Sequence, residues 1–140
     1  PKTSGATGMH LYVPLTPAYS YKQVRLLAEI VARLVVDRCP DLATLEPEIT
    51  KRQGKVYVDY LQNVRGKTLA SVYSVRPQPQ ACVSTPLQWR ELTEELSPLD
   101  FNLKTTVNRL EKLGDLFLPV LTEKQKLETA LAKIESFTSW

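Results

Sequence analysis

Apolar residues recur with two different periods along this chain. Val24, Leu27, Val31, Leu34 and Val35 follow the 3.6-residue spacing of a helix that buries one face. Just before them, Ser20-Tyr21-Lys22-Gln23 has the Ser-x-x-Gln form of a capping box, and Cys39-Pro40 stops the run. An amphipathic helix of about four to five turns is predicted there. Leu127, Ala130, Leu131, Ile134 and Phe137 predict a last helix, capped by Thr122-Glu123-Lys124-Gln125. Thr106 to Leu113 predicts another, closed by Gly114. Thr85-Pro86-Leu87-Gln88 reads as the start of a short helix through Leu92, with Pro at the first helical position.

Three segments read instead as strands. Leu11-Tyr12-Val13-Pro14-Leu15 is an apolar run fed by a polar, glycine-bent loop. Val56-Tyr57-Val58-Asp59-Tyr60 is rich in β-branched and aromatic residues, and alternation puts Tyr57 and Asp59 on one face. Leu69 to Val75 is the third. Pro47 and Gly54 bracket a charged connector. Strands and helices mix without a βαβ rhythm, so an α+β domain is predicted, with a mixed or antiparallel sheet flanked by helices. Trp89, Phe101 and Trp140 are read as packing residues, whereas Tyr60 and Tyr73 flank a basic loop.

Composition changes this picture little. The 140 residues suit one domain, and 43% hydrophobic with 24% charged residues is ordinary for a globular protein. No apolar run approaches a membrane span. Cys39 and Cys82 lie far apart without metal-ligand spacing and read as reduced thiols of a cytoplasmic protein. Charge is more informative. Residues 1–80 hold 11 Lys and Arg against 6 Asp and Glu, while residues 81–140 hold 7 against 9. The basic half would draw a phosphate-rich partner, and on charge alone a solvated surface fits it equally well.

That half also carries the candidate chemistry. In residues 2–10, two glycines bracket a loop holding Ser4 and Thr7, followed by His10, the one histidine. Such a loop can direct several backbone N–H groups at one anion. It is neither a P-loop nor a dinucleotide fingerprint, and a tight turn around a satisfied histidine also fits it. Asp59 sits in an apolar strand, where an unpaired carboxylate is costly. Its partner is expected to be one of the nearby bases Arg52, Lys55, Arg65 or Lys67, or a Mg²⁺ or Mn²⁺ ion.

Four segments together resemble a known family. They are Lys2-Thr3-Ser4-Gly5 with Gly8-Met9-His10-Leu11-Tyr12-Val13-Pro14, Val56 through Thr68 with its Asp-Tyr-Leu-Gln-Asn core, Tyr73-Ser74-Val75-Arg76, and Val83-Ser84-Thr85-Pro86-Leu87. They are similar to the polymerase domain of bacterial ATP-dependent DNA ligase D, of the archaeo-eukaryotic primase superfamily. The resemblance implies a DNA-directed nucleotidyltransferase acting in double-strand break repair by non-homologous end joining. It implies that Ser4, His10 and Arg52 hold the triphosphate of an NTP or dNTP. Arg76 would lie near the nucleotide or template, and Asp59 would be catalytic as a ligand of Mn²⁺ or Mg²⁺. Lys55, Gln62, Asn63, Arg65 and Lys67 are weaker candidates for DNA or phosphate contacts. At family level it further implies DNA ends as substrate, ligase and nuclease domains and the end-binding protein Ku as partners, no membrane, and a bacterial cytoplasmic, nucleoid-associated setting.

The chain also departs from the family pattern. The Asp-x-Asp pair of the metal site, expected upstream of the Ser…His loop, occurs nowhere in it. Ala6 and Thr7 stand where relatives often carry a lysine, and Gln78 where they often carry an arginine. Residues 1–140 are therefore expected to be a single partial domain, the C-terminal portion of the polymerase domain. The start at Pro1 fits a fragment, inactive alone, with a sheet edge open to self-association. The alternatives are a non-catalytic nucleotide- or DNA-binding module, or one subunit of a split polymerase.

Overall fold

The computed structural model describes residues 1–138. The side chains of Phe137 and Thr138 lie outside the described set, as do Ser139 and Trp140, so the expectations for Phe137 and Trp140 fall outside it. The chain forms two compact units. The first comprises residues 1–15 and 70–125, and the second residues 16–69 and 126–140. The α+β class is as expected.

In the first unit, β1 (Lys2–Thr3) and β2 (Met9–His10) form an antiparallel ribbon, with Lys2 opposite His10 and Thr3 opposite Met9. The loop of residues 4–8 joins them. The predicted strand thus begins two residues early, and Leu11 and Val13 end up exposed. The ribbon lies on residues 82–87, all buried. Lys2 bridges to Pro86, and Thr3 N–H donates to the Thr85 carbonyl at 2.9 Å. This segment overturns the helix predicted from Thr85. Thr85 is fully buried, with its hydroxyl on Val83 O and Thr106, so it does not cap. Only a 3₁₀ turn forms, Trp89–Glu91, boxed by Gln88 and Glu91. Trp89 is exposed, whereas Phe101 joins the core as expected. The strand predicted over 69–75 reduces to one bridge, Val75 to Val83.

Helix α2 (Leu103–Leu113) starts three residues before the predicted Thr106, because Asn102 caps it through the N–H groups of Lys104 and Thr105. It ends on Gly114, whose φ of 70° is the left-handed value favourable to glycine. Thr122 closes a short helix, α3 (Leu118–Thr122), so it does not open the last one.

In the second unit, α1 (Tyr21–Arg38) has the predicted capping box, Ser20 with Gln23. It packs against α4 (Leu127–Thr138) and β3 (Ala43–Thr44). Those neighbours cover the face of Leu27 and Ala32, and the predicted stripe residues Val31 and Val35 remain exposed. Leu127, Ala130, Leu131 and Ile134 of α4 are half-buried, as their spacing predicts. β4 (Val56–Tyr57) pairs in parallel with β3 and is shorter than the predicted strand. The connector holds a 3₁₀ turn at Ile49–Lys51.

Candidate nucleotide-binding site

The loop of the first unit closes on its own serine. Ser4 N–H donates to Gly8 O at 2.8 Å, while the N–H groups of Ala6 and Gly8 both donate to Ser4 Oγ at 3.1 Å. These amides therefore converge on the hydroxyl oxygen and not on open solvent. The hydroxyl accepts twice and keeps its own proton for donation outward. Gly5 has φ 72°, and a Cβ there would meet Arg76 Cγ at 2.5 Å and Ser84 N at 3.0 Å. The loop is thus packed directly on the stem of Arg76. Ser84 Oγ donates to Thr3 O at 2.7 Å, and Thr3 Oγ1 donates to Val83 O at 3.1 Å, which clamps the ribbon beneath the loop.

Lys2, unremarked as a site residue in the sequence, is the notable group here. It is fully buried, and its ammonium donates to Ala70 O at 3.0 Å and to Ser84 Oγ. The Tyr12 ring lies 5.7 Å away. Burial, then the charge of Arg76, pushes its pKa down to about 8. Across the ribbon, His10 Nδ1 is buried with no hydrogen-bond partner. His10 is held below the usual histidine range by burial and then by the charges of Lys2 and Arg76. Lys2, His10 and Arg76 thus share one neighbourhood, in which the charge of Arg76 adds to the cost of charging Lys2 and His10. A bound anion lowers that cost for both.

The second unit holds the remaining candidates. Arg52 follows the 3₁₀ turn, donating from Nε to Glu46 O at 3.1 Å and from Nη2 to Pro47 O at 2.6 Å. Its guanidinium lies 4.6 Å from the Tyr57 ring centroid. Asp59 falls beyond β4 and is exposed, which corrects the expectation of a buried strand carboxylate. Its Oδ1 accepts from Leu61 N at 2.8 Å and from the Tyr57 hydroxyl at 3.4 Å. None of the four expected bases forms an ion pair with it among the described residues. Arg52 is engaged as above, and Lys55 Nζ donates to Pro40 O at 2.8 Å. Water solvates the carboxylate, so no cation is required. Tyr57 links the two functional candidates, touching Arg52 with its face and Asp59 with its hydroxyl. The alternation of strand positions signalled the second of these contacts. Gln62, Arg65 and Lys67 are exposed, and Asn63 Nδ2 donates to Tyr60 O at 3.1 Å.

Ser4, His10 and Arg76 therefore share the first unit with Lys2. Arg52, Asp59, Lys55, Gln62, Asn63, Arg65 and Lys67 share the second. No group of three or more His, Cys, Asp or Glu able to hold a metal occurs among the described residues. Asp59 is a lone carboxylate, and the described residues do not by themselves fit a two-metal site. Both cysteines are free thiols, and no described helix is long and apolar enough to cross a membrane.

The family model of the LigD primase-polymerase domain matches residues 1–117. The bifunctional non-homologous end joining protein LigD of Bacillus subtilis is 38% identical over 115 residues, covering 81% of this chain and 19% of that protein. The multifunctional LigD of Mycolicibacterium smegmatis is 37% identical over 121 residues, 86% of this chain and 16% of its own length. That of Pseudomonas aeruginosa is 31% identical over 134 residues, 94% and 16%. The chain spans less than a fifth of the length of these relatives. The solved polymerase domain from Mycobacterium tuberculosis ligase D in complex with DNA matches with a TM-score of 0.81 at 32% identity, covering 89% of this chain and 43% of that one. The family is one of polymerase-type enzymes. With the family model matching residues 1–117 and relatives 31–38% identical over 81–94% of its length, the chain belongs to the LigD primase-polymerase domain family.

Proposed function

We propose that the chain is the C-terminal portion of a ligase D polymerase domain, acting in non-homologous end joining of DNA ends, and that the Ser4 loop of the first unit is a nucleotide-holding part of it. The observation that carries this reading is the Lys2–His10–Arg76 neighbourhood at the Ser4 loop, in which His10 Nδ1 is buried without a hydrogen-bond partner. A triphosphate satisfies that set: Ser4 Oγ–H donates to a phosphate oxygen, His10 binds another, and Arg76 and the buried Lys2 supply charge. Arg52, stacked on Tyr57, is the corresponding donor of the second unit. Asp59 contributes one carboxylate toward a Mn²⁺ or Mg²⁺ ion. Two-metal chemistry needs further carboxylates beyond the described residues, so no catalytic step is assigned to this chain by itself. The lone carboxylate favours, for the isolated chain, nucleotide and DNA binding without turnover.

The test is a thermal-shift titration of the chain with ATP and Mn²⁺, beside a primer-extension assay. A nucleotide-dependent rise in Tm that disappears in the Ser4→Ala/His10→Ala double variant is expected, with no extension by the isolated chain. An unchanged shift in the double variant refutes the triphosphate assignment. Extension that vanishes in Asp59→Ala refutes the binding-only reading.

A further inference from the structure

The second unit contains a cleft of about 250 Å³ that the nucleotide assignment does not use. One wall is Tyr19, Tyr21 and Val24 at the start of α1, and the other is the turn carrying Gln62, Asn63 and Lys67. The cleft is open to solvent and smaller than the usual drug-sized site.

Two residues of the first wall differ in how they are held. Tyr19 is fixed, since its hydroxyl donates to Glu128 Oε2 at 2.7 Å and accepts from Leu127 N at 3.0 Å. Tyr21 is 61% exposed at the first position of the helix. The electrostatics point one way. No acidic residue occurs in 16–28 or in 60–69, while Lys22, Arg25, Arg65 and Lys67 do. The first turn of α1 has no acid either, so the positive pole of an 18-residue helix opens on this wall. No carboxylate lines the cleft among the described residues, and Glu128, which accepts from the Tyr19 hydroxyl, lies outside its lining.

Aromatic faces, amide edges and dispersed lysines and arginines are the chemistry that holds single-stranded nucleic acid. We propose that this cleft takes one unpaired base of a DNA strand, stacked on Tyr21, with the flanking phosphates on Lys67 and Lys22. Lys67 on the lining, with Lys22, Arg25 and Arg65 close to the lining residues in sequence, suits a run of phosphates better than a lone mononucleotide. The proposal rests on the reading of the chain as part of a DNA-handling polymerase, and it names a strand contact separate from the triphosphate loop.

A single-stranded oligonucleotide carrying 2-aminopurine tests it, read by fluorescence quenching and by anisotropy. Quenching on binding is expected, with Tyr21→Ala weakening affinity by about 5- to 150-fold and Tyr21→Phe retaining it. Lys67→Ala should lower the slope of log affinity against log salt by about 0.7. The Ser4→Ala/His10→Ala variant should keep the quench while losing the ATP shift. Unaltered binding by Tyr21→Ala, or equal binding of a blunt duplex without a fluorescence change, overturns the proposal. If ATP still shifts the Tm but no oligonucleotide binds, the cleft assignment fails and the nucleotide reading stands. Tyr21-dependent quenching without any ATP shift gives the reverse.

Discussion

In the first unit one residue of the candidate site, Lys2, is built into the core with Ser4, His10 and Arg76 half-buried around it, whereas in the second no candidate is buried, Arg52, Lys55 and Asn63 being half-buried and Asp59, Gln62, Arg65 and Lys67 exposed. Lys2 is wholly enclosed, with Ser84 and Ala70 holding its ammonium, and the Ser4 loop is packed so tightly on Arg76 that only a glycine fits at position 5. Asp59 is exposed, and Arg52 is placed by two backbone carbonyls and the face of Tyr57. Both regions are candidates for gripping a phosphorylated ligand. The first holds its geometry through buried hydrogen bonds and a shortage of space, so its function and stability are coupled. The second holds single side chains by local contacts, so they can be removed with little effect on folding.

The contrast breaks most visibly at glycine. Gly5→Ala combines the left-handed backbone with a clash and should cost about 2–4 kcal/mol in chemical denaturation, together with the ATP shift. Gly66→Ala has a similar φ, 86°, but nothing within 4 Å, and should cost about 1 kcal/mol. Equal losses at the two sites would show that the packing of the loop is not what sets it apart.

The buried lysine gives a sharper test through pH. Its folded pKa of about 8 lies below the ordinary 10.5, so the unfolded chain binds the proton more tightly. Stability should therefore rise with pH between those values. ATP affinity should fall over the same range, because the ammonium loses its charge there. Lys2→Met should flatten both trends, measured as denaturation midpoint and Kd across pH 7–10. His10, also lowered, should make ATP bind more tightly as pH falls below the ordinary histidine range near 6.5, through uptake of a proton on binding. Loss of this acid-side gain is the expected signature of His10→Ala.

Smaller effects are expected in the second unit. Arg52→Ala loses two hydrogen bonds and a ring contact, largely at the surface, for about 1 kcal/mol of stability. Tyr57→Phe keeps the stack and loses only the long contact to Asp59, at about 0.3 kcal/mol. Asp59→Asn keeps an oxygen for Leu61 N–H and should leave Tm unchanged while removing any Mn²⁺-dependent part of the ATP shift. A large destabilisation from Asp59→Asn would place it among the structural residues.

Local signals were sufficient for some elements. The Ser20–Gln23 capping box and the Cys39-Pro40 stop give the bounds of α1, and Gly114 gives the end of α2, because each depends on hydrogen bonds within a few residues. They failed where partners are distant in sequence. Thr85-Pro86-Leu87-Gln88 has the form of a helix start, yet the hydroxyl of Thr85 is taken by Val83 and Thr106, and residues 82–87 are needed beneath β1. The strand after the loop was misplaced because pairing is fixed by the return of Lys2 to His10, not by where the apolar run begins.

Contiguous residues alone were enough for the family, the loop with its serine and histidine, and the closeness of Tyr57 and Asp59, which are two apart in the chain. Only the tertiary structure decided that Lys2 is buried beside His10 and Arg76, that Gly5 must be glycine, and that Asp59 needs no buried partner. Those facts depend on Ala70, Arg76 and Ser84 arriving from more than 65 residues away along the chain, and on where a short strand stops. Burial and the charge of a neighbour are properties of the packed chain, and no spacing within the sequence encodes them directly.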